Sequence, residues 1–183
     1  CLVALPVAFL FIFTEKYRVY RLIAFFNRDY DLHGLNYQVN MAKKAIASGG
    51  FWGKGINTSL RSATTIPEIQ ADFIFAGWAE SMGFFGVLCY FALLIYFALK
   101  GYKSALNCVD KFNGLTCFGL VTCIVYQSII NCGVVCGALP STGIPLPFFS
   151  SGGSSLIITL AMCGLIMNVL KNDRKIQKEN YYE

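Results

Sequence analysis

The sequence predicts an all-α polytopic membrane protein: three complete transmembrane helices, a truncated one before them, and a large extracytoplasmic loop. Three observations carry that prediction. Hydrophobic residues make up 56% of the 183 and charged residues 14%, against about 45–50% and 25% in soluble domains. Segments 73–99, 114–139 and 147–170 hold a single charge, Glu80, and each is long enough for the roughly 20 residues that cross a hydrocarbon core. The third observation is where the short basic segments fall. Lys100, Lys103 and Lys111 lie in loop 100–113, and Lys171, Arg174, Lys175 and Lys178 in the tail 171–183. Two spans separate these segments, so they share a side, and positive charge places that side in the cytoplasm. The loop 14–72 then faces outward, although it holds eight basic residues of its own.

The elements follow in chain order. Residues 1–13 are apolar and open on Cys1 without a Met. No basic region precedes them and no small-residue cleavage site follows, so they read as the end of a span rather than a signal peptide. Loop 14–72 is too long for an ordinary connection, which makes it functional or disordered. Within it Leu35, Val39, Ala42 and Ile46 form a helical stripe beside Lys43 and Lys44, and Gly49-Gly50 supplies the stop signal. Two readings stay open for that helix. It lies in the membrane interface with its lysines at headgroups, or it packs beneath the loop.

The loop ends in Ile66-Pro67-Glu68-Ile69-Gln70-Ala71-Asp72, with two carboxylates four residues apart at the mouth of an apolar run. An acid inside hydrocarbon costs about 2.5–3.5 kcal/mol on insertion scales, so acids at such a threshold mark a functional site. Desolvation there would make Asp72 a stronger proton acceptor. Eight residues on, a continuous helix would set Glu80 about 12 Å deeper. Glu80 should face the bundle interior, with Gln127 and Asn131, which share one helix face, as candidate partners. All three read as structural polar groups within the membrane.

Segment 137–155 carries three prolines and four glycines yet is nearly uncharged. It reads either as a tight hairpin or as the wall of a wet cavity offering N–H and hydroxyl donors, since irregular backbone at membrane depth must be buried in protein or line water. Six of the eight cysteines lie in the apolar spans, where they behave as small hydrophobes. With no CxxC pair and His33 the only histidine, no metal site built on sulfur or imidazole is expected.

These residues carry a family resemblance. Pro67-Glu68, then Asp72-Phe73-Ile74-Phe75-Ala76, Glu80 and Gly83 resemble the central block of the shape, elongation, division and sporulation (SEDS) family, of FtsW and RodA type. So do Tyr37-Gln38, Ser48-Gly49-Gly50-Phe51-Trp52-Gly53-Lys54-Gly55 upstream, and Gln127, Asn131, Gly133, Leu139 to Phe148 and Gly152-Gly153-Ser154-Ser155 downstream. Gln127, Asn131 and Phe149-Ser150-Ser151 favour the FtsW-like division branch over the elongation branch.

The resemblance implies the C-terminal half of a ten-span peptidoglycan glycosyltransferase in the bacterial cytoplasmic (inner) membrane. Its substrate would be lipid II and its partner a class B penicillin-binding protein, a transpeptidase, with other division or elongation proteins and membrane lipid around it. No nucleic acid is expected. The family's essential loop aspartate falls on Asp72, as catalytic base. Glu68 would orient it or share a cation with it; no cofactor is assigned, and a divalent cation is the candidate. Lys54 and Arg61 are candidates for phosphate contacts, with solvated loop charges as the alternative, and Ser154 and Ser155 for substrate support. Gln70-Ala71, Ser81-Met82 and Ser151 depart from residues frequent in the family, which leaves the groups around the acid to be found. A lipid II flippase and a non-catalytic division scaffold are the competing functions. On its own, this half is expected to insert into a membrane without polymerising.

Overall fold

The computed structural model describes residues 16–27, 35–55 and 72–182. The expected span end over 1–13, and the candidates Arg61 and Glu68, lie outside the described residues. Five helices form among the described residues: α1 (Lys16–Phe26), α2 (Leu35–Gly49), α3 (Ile74–Leu106), α4 (Lys111–Val135) and α5 (Gly153–Tyr182). α3, α4 and the Gly153–Asp173 part of α5 are long and apolar enough to cross a membrane, so the polytopic membrane architecture stands. Residues 136–152 contain no regular helix, as their prolines and glycines require.

The apolar run expected to be one straight span from residue 73 is folded in two. Gly83 has φ 64° and ψ −163°, a conformation that breaks a helix and that glycine adopts without a Cβ penalty. In a straight helix Phe75 and Tyr90 would stand about 22 Å apart. Their rings are instead 5.8 Å apart, and the Trp78 indole N–H donates to Gly86 O at 3.1 Å. Arm 74–82 therefore folds back against arm 84–106. The second arm alone, about 34 Å long at 1.5 Å per residue, suffices to span the hydrocarbon.

Glu80 lies near the end of arm 74–82, at the closed end of the fold-back. There the glycine-rich turn after α2 docks onto the break. Lys54 N and Gly55 N donate to Glu80 O and Ser81 O, at 2.9 and 3.1 Å, while Phe84 N and Phe85 N donate to Gly50 O and Phe51 O, at 2.9 and 3.2 Å. The backbone groups released by the broken helix are satisfied in this way. A Cβ on Gly53 or Gly83 would strike the other strand's backbone, so glycine is required on both sides.

Two cores result. Ala105, Cys117, Val121, Ile124 and Ile166 join arm 84–106, α4 and α5, with Gly101 against Val121 letting the helices approach closely. On that side Asp110 caps α4 by accepting from Phe112 N at 3.1 Å, and Asp173 accepts from Val109 N at 2.8 Å. The second core joins Ala42 and Ala45 of α2, Phe73 just before α3, Phe75 and Ala76 of α3, Cys132 and Val135 of α4, and Leu146 of the irregular segment. Thus α2 packs through Ala42 and Ala45 against α3, α4 and the irregular segment.

Candidate active site

The second core positions the site from beneath. Asn131, 1% exposed on α4, donates from Nδ2 to Asp72 O at 2.9 Å and to Ile144 O at 2.8 Å. Gln127, one turn earlier, donates to Pro145 O at 3.3 Å. These amides were expected to serve Glu80, and they do not. Both partners of Asn131 Nδ2 are carbonyl oxygens, which fixes the amide orientation. The pair pins the segment carrying Asp72 to the segment carrying Gly143 and Pro145.

Above that clamp the charges converge. Gly143 has φ 72°, and a Cβ built on it would stand 3.5 Å from Asp72 Oδ2 and 3.6 Å from both terminal nitrogens of Arg21. The half-buried Asp72 carboxylate and the Arg21 guanidinium therefore flank one bare glycine. Arg21 comes from α1, and its Nη1 donates to Ser141 O at 2.9 Å. α1 is joined to α2 by Asn36 Nδ2, which donates to Asn27 O at 3.1 Å.

Arg21 and Ser141 also line a cavity of about 240 Å³ with Asn36, Val39, Asn40 and Lys43 of α2, Phe25 and Phe26 of α1, and Leu139. Lys43 lies against Gly137, just past the C-terminus of α4, where the helix dipole favours a cation. The cavity thus joins two cations and two amides to aromatic and aliphatic side chains, and Arg21 links it to Gly143, on which Asp72 also converges. Such a site can hold an anionic group beside a proton acceptor.

The expected site residues divide among three places. Asp72, Asn131 and Gln127 belong to this centre. Lys54 does not: its ammonium stands 3.9 Å from the buried Glu80 carboxylate, which also accepts from Ser48 Oγ at 3.1 Å. Ser155 Oγ donates to Gly152 O at 2.9 Å at the start of α5, and Ser154 is exposed there. Arg21 and Lys43 are the site cations that sequence reasoning did not select. Among the described residues no three His, Cys, Asp or Glu side chains gather into a metal site, and the flank of Asp72 over Gly143 is occupied by Arg21. Glu68, the acid expected to share a cation with Asp72, lies outside the described residues.

Comparison with known proteins gives a consistent picture. The profile of the FtsW/RodA/SpoVE cell cycle protein family matches residues 1–175. The chain is 44% identical over 168 residues to a probable peptidoglycan glycosyltransferase FtsW of Borreliella burgdorferi, covering 92% of this chain and 46% of that protein. It is 36% identical over 163 residues to stage V sporulation protein E of Bacillus subtilis, covering 89% and 44%. Among solved structures, a chain from a peptidoglycan synthase complex that coordinates polymerization and crosslinking matches with a TM-score of 0.72 at 30% identity, covering 94% of this chain and 48% of that one. The chain spans less than half the length of the curated relatives it matches.

Proposed function

This chain belongs to the FtsW/RodA/SpoVE family of cell cycle proteins, and from that premise we propose that the protein it represents polymerises lipid II into glycan strands in the bacterial cytoplasmic membrane. The observation that carries the reading is the convergence of Asp72 and Arg21 on Gly143, at the rim of a cavity that also holds Lys43.

The chemistry assigns each group a role. The acceptor sugar hydroxyl attacks the anomeric carbon of the lipid-linked donor, and the bond from that carbon to the pyrophosphate oxygen breaks. The hydroxyl proton passes to the Asp72 carboxylate, which acts as general base. Undecaprenyl pyrophosphate leaves with the electron pair, and Arg21 and Lys43 offset the charge that develops on it. Arg21 suits phosphate through its planar fork of donors. The Phe25, Phe26 and Leu139 wall suits the apolar faces of the sugars and the first units of the polyprenyl chain. A class B penicillin-binding protein is the partner proposed, because the structurally similar chain comes from a synthase complex that couples polymerization to crosslinking.

The test is to incubate the full-length protein, with its partner, with lipid II in proteoliposomes. Lengthening glycan on the outward side is the expected product. Lipid II moved between leaflets without any glycan would identify a flippase instead.

A further inference from the structure

The clasp at Gly83 leaves four aromatic side chains exposed together. Phe51 and Trp52 come from the turn after α2, Phe84 and Phe85 from the first residues of arm 84–106, and they are 57%, 78%, 57% and 52% exposed. Their rings form one array: Phe51–Trp52 at 5.2 Å, Phe51–Phe84 at 5.8 Å and Trp52–Phe85 at 6.2 Å. Water alone would not favour so large an apolar patch on a monomer surface.

Three observations say what covers it. The patch is continuous with the outer face of the membrane arm, where Leu88, Leu93, Ile95, Tyr96 and Leu99 are also exposed. From Phe84 to Lys100 and Lys103 the helix rises about 24 and 28 Å, close to the roughly 30 Å of a hydrocarbon core. Lysines at one end and aromatics at the other are the side chains that sit at the two membrane boundaries. Finally, Lys54 follows directly and is half exposed, within reach of an anionic headgroup.

We propose that Phe51, Trp52, Phe84 and Phe85 are embedded in the headgroup–acyl boundary of the outer leaflet, anchoring the Gly49–Gly55 turn to lipid. Because that turn closes α2 onto the fold-back, the anchor fixes the height of the Lys43-bearing helix above the bilayer. It makes the membrane surface itself a reference plane for the cavity. The inference rests on the membrane span and not on the reaction assigned to the protein.

The experiment uses full-length protein and its Trp52→Phe variant in phosphatidylcholine–phosphatidylglycerol vesicles. The difference between their emission spectra isolates Trp52 from every other tryptophan. Lipids brominated high on the acyl chain should remove most of that difference emission, lipids brominated near the chain end should remove less, and aqueous iodide should remove little. Strong quenching by iodide alone would put the aromatics in water and overturn the proposal. Protection from both quenchers would mean that protein covers them, and would overturn it equally. Should Trp52→Phe fail to accumulate, Phe85→Trp in the same vesicles tests the neighbouring position by the gain in emission, with the same three outcomes.

Discussion

Asn131 holds Asp72 by its main chain: the amide Nδ2 donates to Asp72 O at 2.9 Å and to Ile144 O at 2.8 Å from a position 1% exposed. One buried side chain on a membrane helix thus sets where the acid stands relative to Gly143.

Replacing Asn131 by Ala should unpin both segments. Leaving buried carbonyls without a donor costs about 1–3 kcal/mol. The expected outcome is a lower unfolding temperature and a loss of polymerisation larger than the loss of stability explains. Equal activity at equal protein concentration would show that the clamp does not position the acid.

The Gly83 break makes a sharper contrast. Gly83→Ala meets Gly53 N and Phe51 O and must hold φ 64°, a strain of about 1–3 kcal/mol added to the hydrogen bonds that the clasp would lose. The variant should accumulate poorly or unfold early in detergent. Gly119, which has open space around it on exposed α4 surface, is the control; Gly119→Ala should be neutral or stabilise by about 0.5–1 kcal/mol.

Glu80 should tolerate an amide. Glu80→Gln keeps an oxygen for Ser48 Oγ and loses an ion pair with half-exposed Lys54, so activity should stay within about fivefold. Glu80→Ala removes both contacts from a buried position and should lower the unfolding temperature. If Glu80→Gln were as inactive as a variant of the base itself, Glu80 would be a proton-transfer group.

The three spans, the irregular 137–152 segment and the helix stopping at Gly49 were legible because hydropathy, proline and glycine act locally. The fold-back was not. Residues 73–99 have the same apolar composition whether the arms are collinear or doubled over, and the deciding event is one glycine φ. Gln127 and Asn131 were placed on a common face by their spacing, but spacing cannot say which carbonyls that face meets. Arg21 was one of eight basic residues in the loop, and only the docking of α1 against Ser141 distinguishes it. α1 itself was not foreseen.

Arg21 should matter through its fork. Arg21→Ala removes a charge-assisted contact and the cation beside the reacting acid, so kcat/KM for lipid II should fall roughly 10–100-fold. Arg21→Lys, which keeps charge but loses the planar donors, should recover only part of it. Lys43→Met should raise KM more than it lowers kcat, since Lys43 lies against Gly137 whereas Arg21 and Asp72 converge on Gly143.

The central claim rests on Asp72 as the proton acceptor, and Asp72→Asn tests it with almost no change of shape. Initial rates of lipid II polymerisation by the full-length protein and its partner are compared for the two side chains, with matched expression and unfolding temperature. The account predicts a loss of about 10²–10⁴ in rate. A rate near that of the parent protein, from an Asp72→Asn variant that folds normally, would contradict it.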